Sequence, residues 1–459
     1  MKKVREALPD IMFWAIIAAM PTVIAFFTPY GLYRDSMYLF ASAIQLTKGQ
    51  QLYSQVNTLT TPLSLDLVTA LLKIFGVSFR TYKILGVACV IAVAAAADGV
   101  ASAYEMKSPW RRLAVMSACV IMVLDQFMLS YNELCILFSL LTVIAMRKQQ
   151  PFIAGIICGL AICAKQNLGA VLIFSTFLWY AGKNRKALPH FLGGAAIPIC
   201  ALILRIYPVW NSAYDLTIAG PKSSFGQNAA YSIPGLVIFA GSMISIALIE
   251  TNSYRHRQLL LSEICVYLAT SVAMIYPIMD NNHIRMLTIG IILMLCNQAS
   301  KYNYGDRNAA KILLVIPIIF FASKLNLLMQ VYGKLEPVHY QYIDGEIVPV
   351  HDFHEVETYL SEQKAQGNRV FIISGDGVAY NIPADLYDPL WSSPFHGNIG
   401  ADEINKWKSA IDSYPAGTKL LVNSQTELWQ FPTEIAEYAE QSGRYAGQVG
   451  RFLIYEKGF

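Results

Sequence analysis

The chain has 459 residues, 55% of them hydrophobic and only 14% charged, with a net charge of +4 and a mean hydropathy of +0.42. A soluble domain carries roughly 25% charged residues, so the deficit excludes an ordinary soluble protein, and no nucleic-acid partner is expected. The eight cysteines lie between Cys89 and Cys296, inside apolar stretches and without CxxC or zinc-ligand spacing; they read as buried small hydrophobes and imply no disulfide framework.

Lys2, Lys3 and Arg5 precede the first apolar run. No small-residue cleavage site follows it, so the run is expected to stay as an anchor. About 20 apolar residues at 1.5 Å rise cross a bilayer. The candidate spans are Ile11–Pro29, Lys83–Ser102, Leu113–Leu129, Glu133–Met146, Pro151–Ala164, Gly169–Ala181, Phe191–Tyr207, Ile233–Glu250, Leu259–Ile278, Met286–Cys296 and Lys311–Met329. Basic clusters lie between them: Lys107 with Arg111 and Arg112, Arg147 with Lys148, Lys183 with Arg185 and Lys186, Arg255 with Arg257, and Lys301 with Arg307 and Lys311. A cytoplasmic N-terminus places every cluster on the cytoplasmic side, as the positive-inside rule requires. Thr61–Gly76 is apolar enough to be counted as a span, but it carries Asp66 and Lys73 and is slightly short. Counting it would export all five clusters, so a re-entrant or interfacial helix on the outer side is expected there. Glu133–Met146 and Pro151–Ala164 are short as well, but they form a pair, and demoting both leaves the parity unchanged.

This topology gathers polar residues outside: the first loop (30–82) with Asp35, then Tyr131-Asn132-Glu133, Lys165-Gln166-Asn167, Asn211–Ser232 and Asp280–Arg285. After Met329, Gly, Pro, Asp and Glu rise and apolar runs shorten. Val370–Ser374, Leu420–Asn423 and Arg451–Tyr455 read as strands, and Glu355–Gln366, Ala401–Tyr414 and Glu434–Gly443 as helices. The expected architecture is therefore a polytopic α-helical membrane protein of about eleven spans (1–330), with an extracytoplasmic α/β domain at 331–459.

Asp35 is the most informative residue. A carboxylate at the mouth of a membrane helix is costly to leave without a partner. It can act as a general base, pair with Arg34, or cap the helix that follows. Lys165 either snorkels to the interface or, with Gln166 and Asn167, offers donors to a phosphate. Tyr276 to Arg285 is the densest polar cluster of any short external loop. His283 and Arg285 can reach one anion there only if the segment is not helical. Asn132 and Glu133 can orient a sugar hydroxyl or pair with a basic residue. His351, Asp352 and His354 make a weak metal pattern, and no metal or cofactor is expected. Ser374-Gly375-Asp376-Gly377 lacks the lysine and the glycine spacing of phosphate-binding loops.

The loop pattern R-D-x-x-Y-L-F-A-x-A-x-x-L-x-x-G-x-x-L-Y, followed by T-P-L-x-L-x-L-x-x-A-L-L-K-I-F-G, resembles the GT-C superfamily of membrane glycosyltransferases. The likeness is to the dolichyl-phosphate-mannose-protein mannosyltransferase-like and aminoarabinose-transferase-like group. Ile156–Leu172, with A-x-x-A-K-Q-N-L-G, is similar to that family's G-x-x-x-G-L-A-x-x-x-K-Q segment. The match covers about the first 180 residues. The resemblance implies Asp35 as catalytic base, a polyprenyl-phosphate-linked sugar as donor, and a glycan, lipid or protein hydroxyl as acceptor at the outer face of the cell membrane. Many relatives carry Lys-Pro-Pro where this chain has Thr60-Thr61-Pro62, which leaves the donor phosphate to Lys165, Arg285 or His283. Arg34, Asn132, Glu133, Gln166, Tyr276 and Asp280 are the expected substrate contacts. The rival expectation is a transporter or flippase for a lipid-linked sugar, but polar residues gathered at one membrane face favour surface chemistry over passage.

Overall fold

The computed structural model describes residues 2–32, 34–123, 129–227, 229–231, 263–275, 278–279, 281–301, 315, 318–319, 321–322, 324–330, 335–349 and 351–458. Helices dominate as far as Lys301, and a small sheet unit follows Leu335. The chain runs through α1 (Lys2–Phe27), α2 (Arg34–Thr47), α3 (Leu63–Phe75), α4 (Phe79–Ala103), α5 (Ser108–Val123), α6 (Tyr131–Arg147), α7 (Pro151–Ala164), α8 (Gln166–Lys183) and α9 (Leu188–Ile206). Helices Ile264–Ile275 and Asn281–Lys301 join the same bundle, and the two-residue strands β1 (Ala230–Tyr231) and β2 (Ile278–Met279) pair in parallel. The span expected over Ile233–Glu250 lies outside the described residues.

Leu8–Phe27, Phe79–Ala103 and Arg185–Ser223 are long and apolar enough to cross a bilayer. Ile11, Ile16 and Phe26 on α1, and Ile197 and Leu204 on α9, stand exposed on the outer surface. Water penalises such a surface and hydrocarbon does not; the chain is a membrane protein. At 13 residues, α3 is about 20 Å long. That is short of the roughly 30 Å hydrocarbon core.

Asn211–Ser232, expected as an external loop, is instead helical as far as Ser223. A 3-10 turn at Tyr207–Val209, a short helix Trp210–Tyr214, a π turn Asp215–Ala219 and a last turn Gly220–Ser223 prolong α9. Pro208 falls in the first turn of the new segment, where a missing N–H breaks no hydrogen bond, so it redirects the helix rather than ending it.

Small residues bring α7 and α9 together. A Cβ at Gly155 would stand 2.0 Å from Phe191 O, and one at Gly159 2.7 Å from Ala195 O. Only glycine permits backbones this close, the small-xxx-small mode of membrane helix packing.

In the C-terminal unit, β3 (Leu335–Tyr340) and β4 (Ile343–Pro349) form an antiparallel hairpin. β5 (Val370–Ile373) lies parallel to β6 (Lys419–Asn423), while β8 (Phe452–Lys457) runs antiparallel to β6 and to β7 (Gly443–Val449), giving the order β5-β6-β8-β7. Helices Phe353–Ala365, Glu403–Ser413 and Thr433–Gln441 accompany the sheet, and Trp391 and Trp407 fill its core. The hairpin docks where α1 ends and α4 begins. Ile347 O accepts from Tyr30 N at 2.7 Å, and the buried Lys83 ammonium donates to Glu346 at 2.6 Å and to Thr28 O at 3.0 Å.

The two ends of the bundle differ in charge. At one end Arg112 pairs with Asp10 and Arg111 with Asp98, both at 2.6 Å. There Lys107 N also donates to Ser300 Oγ at 2.7 Å, and Arg147 Nε to Ala103 O at 3.3 Å. The opposite end holds the turn into α2, the α7–α8 turn, the start of Asn281–Lys301 and the C-terminal unit.

Candidate active site

Asp35 occupies the first turn of α2 and is exposed. Negative charge is favoured there, where backbone N–H groups point outward. Gly31, with φ of +75°, makes the turn that delivers the chain from α1 into α2.

Lys165 is a one-residue hinge. Its extended backbone (φ −152°, ψ 115°) closes α7 and opens α8. A Cβ at Gly169 would stand 2.2 Å from Ile162 N, so the reversal is as tight as glycine allows. The ammonium donates to Asn132 Oδ1 at 2.9 Å and lies 5.0 Å above the Tyr131 ring. Burial pushes it below the ordinary lysine range; the charges of Asp35 and Glu133 act on it in one direction and that of Arg285 in the other. Asp35, Lys165, Glu133 and Arg285 thus share one electrostatic neighbourhood.

Two bonds stitch the end of the first loop to this turn. Thr61 Oγ1 donates to Ile162 O at 2.6 Å, and Gln166 Nε2 donates to Leu59 O at 2.9 Å and to Thr217 O at 2.8 Å. Gln166 Oε1 is buried with no hydrogen-bond partner among the described residues. Thr60 and Thr61, standing where the resembled family carries a lysine, are therefore fixed beside Lys165.

Other expected site residues take different positions. Arg285 is 1% exposed and Glu133 2%; they form an ion pair, and the Ser130 hydroxyl also donates to Glu133. Asn281–Lys301 is helical from its first residue. His283 and Arg285, two positions apart on a helix, face different ways, so the shared anion grip expected of a non-helical loop is ruled out. Arg34 Nε donates to Asp376 Oδ1 at 2.5 Å in the C-terminal unit rather than being committed to its neighbour Asp35. Tyr276 and Asp280 lie outside the described residues. In the C-terminal unit Asp352 pairs with Arg451, and His354 bonds Tyr340 and Glu336. Among the described residues no three His, Cys, Asp or Glu side chains are grouped to hold a metal ion.

Sequence reasoning missed the Thr61 link and the Asp376 partner of Arg34. The Ser374–Gly377 turn after a strand was visible, but nothing local said which distant cation it meets. A further feature of the lipid-facing side is an apolar groove of about 550 Å³ lined by Ile16, Met20, Val23, Phe27, Leu325 and Met329 among others. It runs along the half of α1 that leads to the α2 turn.

The fold is similar to that of ArnT from Cupriavidus metallidurans bound to undecaprenyl phosphate, with a TM-score of 0.52 and 9% identity over 98% of each chain. The apo form of ArnT from the same organism aligns over 98% of each chain at a TM-score of 0.47 and 10% identity. No family model matches the sequence, and no curated protein matches it. The likeness, which runs along 98% of each chain, shows a shared fold.

Proposed function

We propose that the protein is a GT-C glycosyltransferase that moves a hexose or pentose from a polyprenyl-phosphate donor to a hydroxyl acceptor at the outer face of the cytoplasmic membrane. In this reading residues 1–330 cross the bilayer about eleven times from a cytoplasmic N-terminus, and 331–459 lie outside. The observation that carries it is that Asp35 and Lys165 lie at one end of the bundle, near enough for the Asp35 charge to act on the Lys165 ammonium. Thr61 and Gln166 tie the loop that follows α2 to the turn carrying Lys165, within a fold shared with a protein solved on undecaprenyl phosphate.

The acceptor oxygen attacks the anomeric carbon while its proton passes to the Asp35 carboxylate. The bond from that carbon to the phosphate oxygen breaks, and polyprenyl phosphate leaves with the electron pair. A single displacement inverts the anomeric centre. The leaving phosphate needs no acid, only a cation to stabilise its charge, and Lys165 supplies it. The reading therefore calls for no cofactor. In this reading the Gln166 Oε1 atom, without a hydrogen-bond partner among the described residues, accepts from a sugar hydroxyl, and the apolar groove along α1 suits a prenyl chain.

Two comparisons test the reading. Mass spectrometry of envelope glycans from cells with and without the protein should show one sugar decoration missing in its absence. In the same cells Asp35→Asn should reach the membrane and bind undecaprenyl phosphate normally, yet restore the decoration about 10²–10⁴-fold less well, the usual contribution of a general base. Full restoration by that variant removes the mechanism. An unchanged glycan with altered lipid movement between leaflets identifies a flippase instead.

A further inference from the structure

The helix that carries Asp35 is gripped at both ends by one stretch of the C-terminal unit. At its start Arg34 Nε donates to Asp376 Oδ1 at 2.5 Å. Just beyond its last residue Lys48 Nζ donates to Asp385 Oδ1 at 2.6 Å. The two carboxylates flank a single short helix, Gly377–Asn381, which packs along α2. Between them, Tyr30 Oη donates to Ala379 O at 3.2 Å, and a Cβ at Gly31 would touch Ala379 Cβ at 3.6 Å.

The first grip is itself held from behind. Arg451 Nη1 meets Asp376 Oδ2 at 3.5 Å, and the same guanidinium donates to Asp352 through Nε at 2.6 Å and Nη2 at 3.2 Å. The Asp352 side chain is 3% exposed and also accepts from Tyr380 Oη at 2.9 Å. Arg34, Asp376, Arg451 and Asp352 thus alternate in charge, running from the start of α2 into the interior of the C-terminal unit.

A helix of 14 residues is about 20 Å long, and anchoring both ends fixes its tilt and its rotation. Each residue turns the helix by roughly 100°. Asp35 directly follows the first anchor, so rotation of α2 decides where its carboxylate points. Partly exposed ion pairs contribute little free energy of their own; what two of them at opposite ends can supply is geometry.

We propose that Asp376 and Asp385 are positioning residues: the 376–385 segment clamps α2 and thereby aims the Asp35 carboxylate at the acceptor hydroxyl. The inference rests on the reading of Asp35 as the base. It gives the C-terminal unit a part in transfer without contact with the sugar.

Asp376→Ala, Asp385→Ala and the double variant are compared with the parent protein in lipid nanodiscs and in cells lacking the protein. Membrane level and undecaprenyl phosphate affinity should stay within about twofold of the parent, while glycan restoration by the double variant falls about tenfold or more, because small misplacements of a reacting group are costly. Backbone amides over residues 34–40 should exchange hydrogen about tenfold faster as the helix start is released. Asp376→Asn, which keeps the oxygen that accepts from Arg34, should recover part of the loss. The proposal is overturned by parental exchange over 34–40 in the double variant, or by full glycan restoration despite faster exchange. A loss of lipid affinity equal to the loss of transfer, the mark of general damage, overturns it as well. Asp35→Asn reads the underlying assignment separately: full restoration there removes the base, while the exchange data still report the clamp.

Discussion

Lys165 and Arg285 share one neighbourhood but are fitted for different work. Arg285 and Glu133 are both buried, and removing one partner of such a pair strands a charge at a cost of about 3–5 kcal/mol; their pairing is structural first. Lys165 is held by a neutral amide oxygen and a ring face, which a phosphate can replace at little loss. Burial holds its ammonium below the ordinary lysine range. The charged form exists below the pKa, so affinity for undecaprenyl phosphate should be greatest on the acid side of it. It should fall as pH rises through a value lower than that of a free lysine. Lys165→Arg should abolish this alkaline fall, because guanidinium does not titrate in that range. Lys165→Met should lower affinity about tenfold or more below that value, the worth of a charge-assisted hydrogen bond, and the two proteins should converge above it. Binding isotherms taken across pH check all three outcomes. Asp35, Lys165, Asn132 and Gln166 were legible in the sequence because each is polar beside an apolar run. The pairing of Glu133 with Arg285 was not, because 152 positions separate them and no local pattern encodes a buried ion pair.

At the scale of elements, the site depends on where α7 ends, and that depends on α7 lying hard against α9. Gly155 faces Phe191 O and Gly194 faces Phe152 O, each with about 2 Å for a Cβ, so the two backbones interlock. Gly155→Val should cost about 1–3 kcal/mol, as overpacking does in a filled interior. It should also shift the α7 terminus that carries Lys165, lowering the melting temperature and weakening undecaprenyl phosphate binding together. Gly193, whose Cβ position meets nothing within 4 Å, provides the control: Gly193→Ala should melt with the parent. Thermal unfolding in detergent, with and without the lipid, separates the two variants. Long apolar runs announced the helices, and short apolar runs announced β5, β6 and β8, which are buried on at least one face. The β3–β4 hairpin and β7 escaped because Pro337, Gly345 and Gly447 interrupt their patterns, and β3 and β7 are mostly exposed or half-buried. Pairing partners, not side-chain burial, make them strands. The helical continuation to Ser223 escaped for a related reason: Pro208 and Gly220 punctuate it like a loop.

At the scale of the molecule, the charge rule turns the two ends of the fold into a testable orientation. The sequence places its basic clusters between apolar runs, and the structure brings several of them to one end, where Arg112 reaches Asp10 near the start of the chain and Lys107 reaches Ser300. Asp35, Lys165 and the C-terminal unit occupy the other. Motif likeness reached only about the first 180 residues, whereas the structural likeness spans 98% of the chain; packing geometry outlasts the side chains that first encoded it. If the basic end faces the cytoplasm, single cysteines should divide cleanly by side. Of the eight native thiols Cys200 is exposed and Cys265 half-buried, so a background with both Cys200→Ser and Cys265→Ser is used. In intact cells a membrane-impermeant maleimide should label cysteines at the exposed positions Gln51, Lys222 and Ser424. It should label cysteines at Lys148 and Lys183, exposed at the opposite end, only after permeabilisation. The reverse partition would turn the site toward the cytoplasm, where an extracytoplasmic acceptor cannot reach it. Labelling of Gln51 and Ser424 from different sides would separate the C-terminal unit from α2 and dissolve the site itself.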